Sequence, residues 1–496
     1  MSLTLVLAKR RNACSLVTLS LLLVFFALQV SAQVDDELRA IAVEPTTLNS
    51  VLRSSARHFP TVQAAQAAIA ELEGNRLAAE GVFDPRVDGG LYSRLGGFYD
   101  GTTADVGFYQ SMPFMGAEVF ADYSVSGGDF PIYEDQLVTT DFGQARVGVA
   151  LSLLRDRDID DRRFAVSKAQ LETEIAEFGL LAEQINILQE AYIAYARWLI
   201  SAELLVAYEE LLNIAVVRGV ALERQVEAGD VAEILLVENE QAVLQREGLV
   251  VESRRQVRLS AERLALYLRD EDGVVVFPNY APSLAMPEQD EGFLETPVDE
   301  LIEQALMNRP DIAVAKTLQT QFRLERRIAE NLAKPRLDFR VYSARDFGSG
   351  TLRRQGTDTI ADISFSIPLA IRTARGRAAS ADARLTGVGY ELRLLIDEAQ
   401  RDLRLSLVNL RATTELKEVA LRELTVAQRL AEAELRRFEA GTSDYFLLNV
   451  RERSLGEAQL KRWQAELNHQ VALANYYGIS MDRKVLWGES VDSAPQ

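Results

Sequence analysis

The chain has 496 residues, of which 54 are Lys or Arg and 73 are Asp or Glu, giving a formal net charge of −19. That balance argues against nucleic acid as a partner, because clustered positive charge supplies most of such affinity. One cysteine, Cys14, and two histidines, His58 and His469, exclude a disulfide framework and a Cys/His zinc site of ordinary ligand count.

Residues 1–32 read as a secretory signal peptide. Lys9-Arg10-Arg11 is the basic region, Leu16 to Val30 the apolar core and Val30-Ser31-Ala32 the small-residue cleavage site. The alternative is an uncleaved anchor helix. Removal of residues 1–32 takes away three basic and no acidic side chains, so the net charge moves from −19 to −22. Beyond this segment no apolar run approaches the roughly 20 residues of a membrane-spanning helix.

The remainder repeats itself. Glu227-Ala228-Gly229 recurs as Glu439-Ala440-Gly441, 212 residues later, and Leu235-Leu236 as Leu447-Leu448 in the same register. Phe83-Asp84-Pro85-Arg86-Val87-Asp88 resembles Ala333-Lys334-Pro335-Arg336-Leu337-Asp338 at an offset of 250, shared by Pro60 and Pro310. The two offsets differ because the first copy carries an extra ~38 residues between its anchors. Each copy has the order helix, strands, very long helix, tight break, medium helix. Residues 33–85 hold an N-terminal segment and first helix, 86–153 the strands of the first copy, and 154–269 its long helix and helical hairpin. Residues 270–300, with Pro278, Pro282 and Pro287, are the link between copies. In the second copy 301–333 is a helix (Leu301 to Leu332), 334–369 the strands with a turn from Gly348 to Gly356, and 370–479 the long helix and hairpin. Residues 480–496 are a polar tail.

Both long stretches, Asp161 to Glu227 and Arg372 to Phe438, lack proline. About 67 residues of helix would reach roughly 100 Å. Apolar stripes at three- and four-residue spacing run along them, through Ile185, Leu188, Tyr192 and Leu199 in one and Ala399, Leu403, Leu407 and Leu410 in the other. By itself that pattern also suits an ordinary coiled coil. The strand regions alternate instead. Leu337, Phe339 and Val341 alternate with Asp338 and Arg340; Ile363 and Phe365 with Asp362 and Ser364; Val147, Val149 and Leu151 with Arg146, Gly148 and Ala150. Such strands suit a barrel with lipid outside and water inside, and equally a half-buried sheet in a soluble domain. Residues 83–142 hold 12 of the chain's 38 Phe, Tyr and Trp, which favours the barrel, since aromatic girdles sit at membrane interfaces. Two more alternating runs, Val106 to Met112 and Val119 to Val125, form an extra hairpin at about 104–126. Its place, in the wall or outside it, stays open at this level.

Taken together, the duplicated order, Asn308-Arg309-Pro310-Asp311, Lys334-Pro335-Arg336-Leu337, Phe365-Ser366-Ile367-Pro368-Leu369 and Arg437-Phe438-Glu439-Ala440-Gly441 resemble the TolC-type outer-membrane efflux proteins. The resemblance covers nearly the whole mature length. It implies a mainly α fold with a β-barrel portion: a homotrimer in the outer membrane of a Gram-negative bacterium, each copy giving four strands to a 12-stranded barrel continued by a periplasmic α-helical barrel. The function it implies is the channel-tunnel of a tripartite export system, a passive water-filled exit duct. An inner-membrane transporter would drive substrate into it through a periplasmic adaptor (membrane fusion protein). Specificity in such systems usually lies in the pump. Outer-membrane lipid would meet Leu337, Phe339, Val341, Ile363, Phe365, Val147, Val149 and Leu151. The helical tips, Gly229, Asp230, Gly441 and Thr442, would meet the adaptor. The family's gate carboxylates fall here on Leu447 and Val450, so Asp444 and Asp230 are the gate candidates, with helix N-capping as their plainer role. The acidic excess would line the duct and favour cations or neutral solutes. No catalytic motif, metal cluster or cofactor signature is present. The rival reading is a periplasmic coiled-coil adaptor or structural scaffold without a pore.

Overall fold

The structure, a computed structural model, describes residues 45–286, 291–350 and 356–481. The expected signal peptide, the centre of the Gly348–Gly356 turn and nearly all of the expected tail lie outside the described residues. The elements in chain order are α1 (Leu48–His58), α2 (Pro60–Glu80), β1 (Arg86–Ser93), β2 (Thr102–Ser111), β3 (Glu118–Gly127), β4 (Gln144–Ser152), α3 (Asp161–Glu227) and α4 (Ile234–Ala265). They continue with α5 (Val298–Asn308), α6 (Pro310–Leu332), β5 (Arg336–Asp346), β6 (Thr357–Ser366), α7 (Arg372–Glu439) and α8 (Tyr445–Ser480). The duplication is therefore real at the level of elements: α1–α2 matches α5–α6, and the hairpin α3–α4 matches α7–α8.

Three boundaries follow from local chemistry. Asp160 accepts from the Arg163 backbone N–H at 2.8 Å and starts the 67-residue α3. Pro60 and Pro310 each open a helix at its first position, preceded by extended Phe59 and Arg309. This corrects the expectation of one helix from Leu301 to Leu332. Proline cannot donate to the carbonyl four residues back, so the segment splits into α5 and α6 at Arg309. The helix α5 also begins at Val298, inside the expected link.

The sheet corrects a second expectation. All strands form one antiparallel meander in the order β1-β2-β3-β4-β5-β6. The extra hairpin, β2–β3, lies within the sheet between β1 and β4, paired on both sides. Among the described residues one chain thus gives six strands, not the four that the family resemblance implies.

The main core sits midway along the rods. Val51 and Leu52 of α1, Leu188, Tyr192, Tyr195 and Trp198 of α3, Leu264 of α4, Leu301 of α5, Leu403 and Leu407 of α7, and Leu473 and Tyr477 of α8 pack into one cluster. The link between copies wraps onto it, with Phe293 stacked on Tyr476 at 4.2 Å between ring centroids. This belt fixes the two hairpins side by side, with the sheet at one end and the helical breaks at the other.

Candidate functional site

Residues directly opposite one another in an antiparallel sheet share a face. The pairing therefore sorts every strand side chain. One face carries Val87 and Leu91 of β1, Val106 and Phe108 of β2, Val119, Tyr123 and Val125 of β3, Val147, Val149 and Leu151 of β4, Leu337, Phe339 and Val341 of β5, and Ile363 and Phe365 of β6. All eight positions expected to meet lipid lie on this face. The opposite face carries Asp88, Asp105, Glu118, Asp122, Asp338, Asp346, Asp358 and Asp362, which outnumber Arg86, Arg146, Arg336 and Arg340.

Along β3 the burial of the two faces is inverted relative to a soluble sheet, the apolar-face positions being exposed and the polar-face ones covered. On the apolar face Val147 is 57% exposed and Phe365 76%. On the polar face Phe120 is buried at 8% and the Asp122 side chain is almost covered. The polar groups there satisfy one another: Arg146 donates to Asp122 at 2.7 Å, Arg336 to Asp338 at 2.6 Å, and Ser152 to Asp338 at 3.0 Å. Arg340 lies over the Phe120 ring, 5.8 Å from its centroid. Arg345 is the one charged member of the apolar face among the described strand residues, and it sits nine residues from the helical end of β5. At ~3.4 Å per residue and a strand tilt of about 35–40°, nine residues rise roughly 24 Å, the height of an apolar membrane band. Arg345 therefore lies at the edge of the apolar face farthest from the helices. Exposed Phe98, Tyr133 and Phe142 occupy the loops beyond that edge.

At the other end of the molecule, Gly229 and Gly441 have φ of +80° and +70°. Both end a long helix in the left-handed conformation, with open space around each α-carbon. Asp230 and Thr442 are exposed beside them. The two gate candidates part company here. Asp444 caps α8, its Oδ1 accepting from the Leu447 backbone N–H at 2.7 Å, and it lines a cleft of about 860 Å³ between the tips. Asp230 caps nothing, because α4 starts four residues later behind Glu233, which makes no side-chain cap bond. Asp230 stands one residue after its glycine, whereas Asp444 stands three after, and the position matching Asp444 in the first copy is Ala232, which has no side-chain acceptor.

Two polar constellations were not singled out by the sequence. Arg218 of α3 and Arg246 of α4 each donate to Glu452 Oε2 of α8 at 2.7 Å, and Arg218 also bonds Oε1. All three side chains are nearly buried. Burial would raise the Glu452 carboxyl, but the two guanidinium groups outweigh it and hold it below the usual carboxylate range. Close by, Tyr445 Oη donates to Asn239 Oδ1 at 2.9 Å, and Asn239 donates on to the Ala215 carbonyl at 3.1 Å. These bonds clasp one helical hairpin to the other just above the tips. Nearer the belt, buried His469 of α8 lies 3.0 Å from Glu291 through Nε2. Burial and nearby Lys417 push the imidazole below its ordinary value despite Glu291 and Glu466. Among the described residues, no group of three or more His, Cys, Asp or Glu could hold a metal ion, and no helix is long and apolar enough to cross a membrane.

No family model and no curated protein matches the chain. Solved structures do. The Campylobacter jejuni CmeC outer-membrane channel superposes with a TM-score of 0.58 at 14% identity, covering 89% of this chain and 90% of that one. The outer-membrane protein VceC of Vibrio cholerae gives 0.58 at 15% identity, with 88% and 99% covered. A membrane protein of Pseudomonas aeruginosa gives 0.57 at 15% identity, with 87% and 92% covered. This chain has the TolC-type fold of outer-membrane channels. The TolC-type order of hairpins, sheet and belt accounts for the rods and for the two-faced sheet in one architecture.

Proposed function

We propose that the protein is the outer-membrane channel-tunnel of a tripartite export system, with its sheet in the outer membrane of a Gram-negative bacterium and its hairpins in the periplasm. The observation that carries this is the two-faced sheet, with one apolar face and one polar, mostly acidic face running across all six strands. Left facing water, the apolar face would carry a large hydrophobic cost, whereas a barrel wall between lipid and water requires it. Among the described residues a single chain leaves β1 and β6 with unpaired edges and closes no barrel, so assembly is a physical need in this reading. The rods support the same reading. Exposed Val237, Leu244 and Val251 recur every seven residues on α4, and exposed Leu405, Val408, Val419 and Val426 form a stripe on α7. These stripes suit helix–helix contacts between copies in a homotrimer. A pore-free scaffold accounts for the stripes but not for the sheet.

In this reading the duct is passive. The adaptor docks at Gly229, Asp230, Gly441 and Thr442, and Asp230 and Asp444 are the gate candidates. The acidic excess of the polar face favours cationic or neutral solutes over anions. The reading invokes no catalytic group and no cofactor. It is tested by expressing the full chain in a Gram-negative host. The protein should sediment with outer membranes, require detergent for extraction, and give a chemical cross-linking ladder that stops at three copies. A monomer that stays in solution without detergent would overturn it.

A further inference from the structure

The six-stranded sheet goes beyond the four strands that a TolC-type channel implies. We propose that β2–β3 remains in the membrane wall of the assembly and that three copies close an 18-stranded barrel, the last strand β6 of one copy pairing with β1 of the next. The proposal rests on the channel reading above and adds the number of strands and the seam.

Three observations support it. The first is parity. The strand β1 leaves the helical end and β6 returns to it, so β6 of one copy runs antiparallel to β1 of the next, as a meander requires. The second is stagger. A row of paired residues crosses the sheet from Arg86 through Tyr109, Phe120, Gly148 and Tyr342 to Ile360. Arg86 is the first residue of β1, yet Ile360 lies six residues before Ser366, the end of β6 nearest the helices. Aligning the helical ends at the seam therefore displaces the register by six residues per six strands. With ~3.3 Å per residue and ~4.8 Å between strands, the strands tilt by roughly 35°, at the lower end of the range that closed barrels adopt.

The third observation is chemical continuity. With Arg86 opposite Ser366, Val87 falls opposite Phe365, Gly89 opposite Ile363 and Leu91 opposite Ala361, all on the apolar face. Asp88 falls opposite Ser364, and no like charges meet. In the single chain, every residue of β1 and β6 is exposed, unlike the inner strands. A neighbouring copy covers both edges at once. Barrel diameter grows about linearly with strand number, so the membrane duct would be about one and a half times as wide as that of a 12-stranded barrel.

The test uses the full chain with Cys14→Ser and engineered cysteine pairs, oxidised in the outer membrane. Asp88→Cys is combined in turn with Ser364→Cys and with Ser366→Cys on the polar face of β6, which sample the seam and a shift of one pair. Gly89→Cys with Ala145→Cys reports the alternative in which the hairpin is expelled and β1 meets β4 within one chain. In the six-stranded sheet these two positions are three strand spacings apart, about 14 Å, too far for a disulfide. The expected result is disulfide-linked chains up to trimer from a seam pair and none within the chain from the second pair. A protein that cross-links chemically as a trimer, forms no seam disulfide and joins Gly89→Cys to Ala145→Cys would overturn the 18-stranded barrel and leave the channel reading intact. Loss of the trimer in the unsubstituted protein would overturn the channel reading itself.

Discussion

Substituting Val147→Arg probes the apolar face at the height that the channel reading places in mid-membrane. Val147 lies five residues from Ser152, the helical end of β4. Five residues at ~3.4 Å on a strand tilted about 35–40° place it roughly 13 Å above that end, near the middle of an apolar band about 25 Å tall. An arginine at the midplane of such a barrel costs about 2–4 kcal/mol per chain. Each 1.4 kcal/mol is about tenfold, so insertion should weaken by roughly 30- to 700-fold per chain, and a trimer bears the change three times. The control is Ser124→Arg, which adds the same charge to the polar face beside Gln144. The residue before Val147 is already an arginine: Arg146 is accommodated because it turns to the polar face and pairs with Asp122. The assay is urea-dependent folding into lipid vesicles, with trimer yield in outer membranes as a second readout. Val147→Arg should collapse both, while Ser124→Arg should stay within ~1 kcal/mol of the parent. Equal tolerance of the two variants would refute the assigned lipid face.

Removing the buried carboxylate by Glu452→Ala strands the Arg218 and Arg246 guanidinium groups and should destabilise the hairpin pair by about 3–5 kcal/mol; Glu209→Ala, which breaks an exposed pair with Arg254 at 2.8 Å, should cost no more than ~1 kcal/mol. Amide hydrogen exchange in α4 and α8 checks this, and equal exchange in both variants would contradict it. Because burial lowers the His469 value, the folded state binds its proton less readily than the unfolded chain does. Its contribution is therefore complete above the ordinary histidine value of about 6.5 and lost as pH falls below it. Urea midpoints should drop from about pH 7.5 to about pH 5, with a shallower drop in His469→Asn; identical slopes would exclude His469. Truncating the α8 cap by Asp444→Ala should destabilise the second tip by ~1 kcal/mol, whereas Asp230→Ala should not. Proteolysis at the two tips separates the outcomes, and equal susceptibility would reject the assignment.

The long helices were legible almost to the residue, because Asp160 opens one, a glycine two residues past the end stops each, and no competing signal lies inside. The period-two alternation of β2 and β3 was equally readable, but whether the hairpin sits inside the sheet depends on pairing with β1 and β4. The β3–β4 contact crosses a loop, and the β4–β5 contact joins Ser152 to Asp338 across a separation of 186 residues. The family resemblance, which implies four strands, pointed away from the answer there. The break at Arg309 was within reach, since Pro310 carries its own reason for ending a helix, yet the apolar periodicity runs straight through it. The clasp was out of reach. Arg218 and Glu452 are 234 residues apart, and charges on an amphipathic helix read as a solvated face until packing covers them. Asp230 and Asp444 both follow a tip glycine closely, but Asp444 stands three residues after it, directly before Tyr445 opens α8, whereas Asp230 stands one residue after it and Ala232 holds the capping position.

The measurement that bears most directly on the central claim is spin-label accessibility along β3, from Val119 to Val125, in the protein reconstituted in lipid. Labels at Val119, Ala121, Tyr123 and Val125 should collide with oxygen dissolved in the bilayer, and labels at Phe120, Asp122 and Ser124 with a water-soluble nickel reagent, in strict alternation. Uniform access of the nickel reagent to all seven positions would mean that this strand does not separate lipid from water, and the channel account would fall.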